Sequence, residues 1–92
     1  MNRKYKKGRE FEYKIKHSLE RLGYRCLRSA GSHGEYDLIA YKNNIFLFIQ
    51  CKLNKKTKII KVVPNGKAYF LLIGNKREMF KLLKVLNNNG HE

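Results

Sequence analysis

The 92-residue chain is poor in acid: 7 Asp plus Glu stand against 21 Lys plus Arg, for a formal net charge of +14. No acid at all occurs from Leu38 to Arg77. That imbalance excludes a surface built for cations or basic partners and points to a polyanion. The positive charge is spread along the chain, and seven basic residues fall between Arg3 and Lys16. A broad field of this kind suits the phosphate backbone of a nucleic acid better than a point ligand. Long apolar runs are also missing. A run such as Ile45 to Ile49 is far too short to span a bilayer, and the basic N-terminus leads into no apolar signal core. A soluble, intracellular protein with no membrane partner is expected. Cysteine is scarce: Cys26 and Cys51 have no metal-ligand spacing and lie in apolar runs, which reads as buried free thiols in a reducing setting. No zinc pattern, recognition helix or stacking platform is evident, so recognition of nucleic-acid shape is favoured over reading of base edges. No internal repeat or linker divides the chain. One domain over 1–92 is expected, with tails at about 1–5 and 88–92.

What is present is a clear alternation of periods. Phe11, Ile15, Leu19 and Leu22 recur at helical spacing between Lys6 and Leu22, and Gly23 follows as a stop signal. Strands are predicted at Tyr24 to Arg28, Tyr36 to Tyr41, Ile45 to Lys52, Lys58 to Val63 and Ala68 to Ile73. A second amphipathic helix follows from Arg77 to Leu86, with Met79, Leu82, Leu83 and Leu86 as its stripe. The fold class is α/β: an N-terminal helix, a mixed β-sheet and a C-terminal helix.

The segment "EYDLIAYKNNIFLFIQCK", residues 35–52, carries polar groups inside the most apolar part of the chain. Asn43 and Asn44 suit a two-residue hairpin loop, because Asn tolerates positive φ. Counting outward from that loop pairs Lys42 with Ile45 and Leu38 with Ile49, and sets Asp37 opposite Gln50. Lys52, two residues on, shares the Gln50 face, while Cys51 points the other way. The continuous run Ile45 to Ile49 suits a strand covered on both faces. On the first helix, a turn of about 100° per residue sets Glu12 about 65° from the centre of the apolar stripe and Glu10 about 135° from it. Glu12 therefore borders the buried face and Glu10 faces solvent.

Glu12, Asp37, the Gln50 amide and the Lys52 ammonium in one cleft suit phosphodiester hydrolysis. Carboxylate and carbonyl oxygens, with the backbone carbonyl of Cys51 as a further ligand, match Mg²⁺ or Mn²⁺, and a Lys orients water and offsets phosphorane charge. The small-residue loop "SAGSHG", 29–34, lets the chain approach a phosphate closely and places Ser32 and His33 as substrate contacts. Basic residues flanking the cleft, Arg3, Lys4, Lys6, Lys7 and Arg9 before it and Lys55, Lys56 and Lys58 after it, are expected to track phosphates.

"KGREFE", "GYRCLRSAGSHGEYDLIA" and "LFIQCK" together resemble the archaeal-type Holliday junction resolvases, within the PD-(D/E)xK nuclease superfamily. The likeness covers about Lys7 to Lys52. It implies a minimal nuclease-like fold and a metal-dependent endonuclease acting on branched DNA as a homodimer. It also implies that Glu12, four residues after Gly8, Asp37 and the Gln50 position hold the metal, and that Lys52 is catalytic. Ser32 matches a loop Ser near the scissile phosphate, and Arg28 a basic residue near the DNA. Gln50 stands where the family usually carries a second acid; restriction-type relatives carry a similar QxK signature. Two other readings stay open: a restriction or replication-repair nuclease acting on other DNA, and a binder of branched nucleic acid without catalysis.

Overall fold

The computed structural model describes residues 3–29, 36–63 and 67–89, and their side chains over 7–29, 36–63 and 67–86. The elements run α1 (Arg3–Arg21), β1 (Arg25–Arg28), β2 (Leu38–Lys42), β3 (Ile45–Cys51), β4 (Lys58–Val62), β5 (Ala68–Ile73) and α2 (Lys76–Asn89). Helix α1 starts earlier than the apolar stripe predicts, since Arg and Lys are good helix formers without any apolar partner. It ends in a Schellman turn. The Tyr24 N–H donates to the Leu19 carbonyl and the Gly23 N–H to the Glu20 carbonyl, each at 3.0 Å, with Gly23 at φ 95°. Leu22 falls in that turn and is exposed, so it leaves the predicted stripe while Phe11, Ile15 and Leu19 stay buried.

The five strands form one sheet in the order β1-β2-β3-β5-β4. Only β3 and β5 are parallel; every other neighbouring pair is antiparallel, so the sheet is mixed. The β2–β3 hairpin has the counted register from Lys42↔Ile45 to Leu38↔Ile49, and Asn43 takes φ 55° in its turn. Strand β4 pairs with β5 through a register shift between Ile59 and Lys61.

Both helices lie on the same face of the sheet. Beneath them Cys26, Leu38, Ala40, Leu47, Ile49, Leu71 and Ile73 alternate inward and join Phe11, Ile15, Leu19, Met79, Leu83 and Leu86 in one core. The opposite face carries Leu27, Ile39, Tyr41, Phe46, Phe48, Phe70 and Leu72, and no element of the described chain covers it. Leu27 is 63% exposed and Phe46 45%. The apolar run of β3 is thus buried on one side only, contrary to the two-sided cover expected from it. The bare side is also strongly aromatic: Tyr36, Phe48 and Phe70 pack ring against ring at 4.9–5.9 Å, and Tyr41 stacks on Phe46 at 5.8 Å. A platform of rings that no local spacing reveals is therefore present.

Helix α2 is seated by its N-terminus. The Asn75 side chain accepts from the Glu78 N–H at 3.1 Å, and the Glu78 carboxylate accepts from the Thr57 N–H at 3.2 Å. Gly74 packs directly against the backbone of Lys55, where any Cβ would collide with the Lys55 carbonyl. These contacts fix α2 beside the segment that leaves β3.

Candidate active site

Asp37 sits one residue before β2, at the end of the hairpin farthest from its turn. The pairing with Gln50 that simple counting predicts does not form. The ladder stops at Leu38↔Ile49, and the Asp37 N–H donates to the Ile49 carbonyl at 2.8 Å. Its carboxylate instead reaches across and accepts the Cys51 N–H at 2.7 Å. A charged acceptor makes a stronger bond to a backbone N–H than a neutral carbonyl does, so the side chain displaces regular pairing here. The Asp37 carbonyl in turn accepts from the Ser29 N–H at 2.9 Å, which ties the end of β1 to the same point.

Glu12 reaches this end of the sheet from α1. Its carboxylate accepts from Arg28 Nη2 at 3.3 Å. Arg28 also donates to the Tyr13 hydroxyl at 3.1 Å, and its guanidinium lies 4.7 Å from the centre of that ring. Glu12 is half-buried and Glu10 exposed, as their angles on the helix predict. Arg28, expected at the DNA, is held against the helix-borne acid in this structure. Tyr13, its aromatic support, was not among the predicted site residues; its position one residue after Glu12 was the available signal.

Cys51 lies in the field of both acids. Burial pushes its thiol far above the ordinary range, and the negative charges of Asp37 and then Glu12 push it further. Both carboxylates thus act on one residue of β3, the residue between Gln50 and Lys52. Gln50 is half-buried on the bare face of the sheet. Lys52, just past the strand, is exposed, and its N–H extends the parallel ladder to the Ile73 carbonyl at 3.0 Å.

Among the described residues, no three His, Cys, Asp or Glu side chains come together as a metal cage. The candidate oxygen donors are the carboxylates of Glu12 and Asp37, the Gln50 amide and the Cys51 backbone carbonyl; the Asp37 carboxylate is bonded to the 50–52 segment at the Cys51 N–H, while Glu12 is paired with Arg28. That set is hard and oxygen-only, so it fits Mg²⁺ or Mn²⁺ and not a soft metal. Ser32 and His33 lie outside the described residues, as do the side chains of Arg3, Lys4 and Lys6. Lys7, Arg9, Lys55, Lys56 and Lys58 are exposed around this end of the molecule. Among the described residues, no helix is long and apolar enough to cross a membrane.

Comparison with known proteins gives the family. The family of archaeal Holliday junction resolvases (Hjc) matches residues 3–72. A crossover junction endodeoxyribonuclease Hjc of Methanocaldococcus jannaschii is 36% identical over 102 residues, covering 98% of this chain and 76% of that protein. No solved structure matches. With most of its length matched by the family and its fold that of a small α/β nuclease, the chain belongs to the archaeal Holliday junction resolvases.

Proposed function

We propose that this protein is a metal-dependent, structure-selective DNA endonuclease that resolves four-way junctions by paired nicks. The observation that supports the reading is the bond from the Cys51 N–H to the Asp37 carboxylate, inside the Gln50-Cys51-Lys52 signature, with Glu12 paired to Arg28 of the neighbouring strand end. Glu12, Asp37, the Gln50 amide oxygen and the Cys51 carbonyl would hold Mg²⁺, with Mn²⁺ as a substitute. A metal bound there supplies Lewis acidity toward the scissile phosphate. Lys52 orients the attacking water and offsets negative charge as the phosphorane forms. Arg28 positions Glu12 through their ion pair, and Tyr13 steadies Arg28 from below. Ser32 and His33 contact the substrate from the loop after β1. Lys7, Arg9, Lys55, Lys56 and Lys58, with Arg3, Lys4 and Lys6, neutralise phosphates of the DNA, which lies with the other DNA of the cell interior.

Resolving a junction takes two opposed cuts, so the reading includes a homodimer with two sites. The bare sheet face supports it. Leu27, Ile39, Tyr41, Phe46, Phe48, Phe70 and Leu72 form a continuous apolar surface, and its cations, Arg25, Lys58 and Lys61, lie on the outer strands β1 and β4. A patch of this character on so small a domain marks a protein contact. Pairing through it leaves the helices of both copies outward.

The test is cleavage of a synthetic four-way junction with Mg²⁺, beside linear duplex and a flap of the same sequence. Junction cleavage well above duplex cleavage is expected. No product at any protein concentration rejects the reading, and faster cutting of flaps moves it to a repair-type nuclease. The amide at Gln50, with Glu12 already paired to Arg28, favours one second reading, a binder of branched DNA without catalysis. Asp37→Asn separates the two: the amide oxygen still accepts from Cys51, so junction affinity persists while any cleavage is lost.

A further inference from the structure

Helix α2 lies outside the residues that the family comparison matches, and it carries a second basic surface away from the predicted site. Met79, Leu83 and Leu86 turn into the core. The outward side holds Lys76, Phe80 and Lys84 at steps of four, with Arg77 and Lys81 alongside. These five residues line one shallow groove, four of them cations and none acidic. The Lys76 ammonium lies over the Phe80 ring, 5.9 Å from its centre.

A second groove continues from the first, because Lys76 and Arg77 line both. Its other walls are Phe11 and Lys14 of α1, Leu53, Asn54, Gly74 and Asn75. Phe11 and Leu53 are the sequence neighbours of Glu12 and Lys52, so the backbone that lines this groove runs on into the candidate active site. Its floor includes Gly74, whose lack of a side chain lets the β5–α2 joint sit flush on the 53–57 segment. The acid nearest by sequence, Glu78, is turned away to the Thr57 N–H.

We propose that these two grooves form one track for the phosphates of a junction arm, leading from the active site along the outer side of α2. The inference rests on branched DNA as the substrate. Length and charge both match: Lys76 to Lys84 spans about 12 Å of helix, which faces roughly three to four phosphates of one strand. The track lies on the helix layer, away from the apolar sheet face, so two copies joined through that face each offer a track to a different arm. A duplex lacking the junction reaches the track without being anchored at the branch, so the gain is largest for branched DNA.

The experiment is binding, without divalent metal, of the full chain to a labelled four-way junction across a salt series. The variant is Lys76→Gln, Arg77→Gln, Lys81→Gln and Lys84→Gln together. Gln keeps helix propensity, and a thermal melt confirms the fold. Expected are a junction Kd weakened by about 30-fold or more at physiological salt and a salt slope reduced by roughly 3. The pair Lys81→Gln, Lys84→Gln alone should reduce the slope by roughly 2. Unchanged slope and affinity in the folded pair variant overturn the proposal, and leave α2 as solvated charge or a surface for another partner. Because no cleavage is read, a wild-type protein that binds but does not cut tells against the endonuclease reading and leaves this test standing.

Discussion

The two faces of the sheet are built from the same strands and are both apolar, yet one is aliphatic and covered while the other is rich in aromatic rings and bare. On the covered face Leu38, Leu47, Ile49 and Leu71 are fully buried under α1 and α2. On the bare face their direct neighbours Phe48 and Phe70 stack on each other, and Phe46 stacks on Tyr41 and stands 45% exposed. A chain of this size makes only one core, and two helices cover only one side of a five-stranded sheet. Apolar residues on the other side are therefore surplus to the fold. Their placement is what the proposed pairing of two copies would use.

The largest effect expected from that difference is on stability. Ile49→Ala on the covered face should cost about 2–5 kcal/mol, a large part of the margin of so small a domain. Phe46→Ala, three residues earlier on the bare face, should change unfolding of the monomer by under about 1 kcal/mol. Urea unfolding at low protein concentration compares them, and equal losses would break the distinction between the faces.

On the bare face, Gln50→Glu should raise affinity for Mg²⁺ about 10-fold, since it adds a full carboxylate to the donor set. Calorimetric titration of metal into the Asp37-intact protein reads this directly, and a weakened affinity in a folded variant removes Gln50 from the ligand set.

A smaller effect sharpens the covered face alone. Burial pushes the Cys26 thiol up to about 11 from an ordinary 9.0. Between these values the unfolded chain has lost the proton and the folded chain keeps it. The contribution is therefore full below pH 9.0 and falls away as pH rises toward 11. The difference in urea midpoint between wild type and Cys26→Ala should shrink across that window; a constant difference would contradict a buried, protonated thiol.

The smallest effect concerns the outer side of α1. Gly8 lies in the helix, and a Cβ there meets no atom within 4 Å. Gly8→Ala should stabilise the protein by about 0.5–1 kcal/mol in a thermal melt. Accompanying loss of junction affinity would mean that DNA passes close over this turn.

Much of this arrangement is legible in the sequence because it is set by local periods. The hairpin register follows by counting from Asn43 and Asn44, and the border position of Glu12 follows from the angle between residues on a helix. The exceptions all depend on encounters between distant segments. Asp37 leaves the ladder because its carboxylate finds the Cys51 N–H, and Arg28 turns to Glu12 because α1 crosses β1 there. The run Ile45 to Ile49 looks the same whether its second face meets a helix, water or another copy. The basic side of α2 does have a visible signal, Lys76, Phe80 and Lys84 at one spacing, but only the tertiary fold joins it to the site.

The central claim is that the bare face joins two copies so that both active sites cut one junction. It is tested most directly by Phe46→Glu, assayed with Mg²⁺ on a supercoiled plasmid that extrudes a cruciform. A charge in the apolar contact should yield a monomer by sedimentation, and paired cuts should give way to single ones. Wild type is predicted to linearise the plasmid, and the variant to accumulate nicked circles. Linear product undiminished in a folded, monomeric variant, or no cleavage of the cruciform by wild type, would contradict the account.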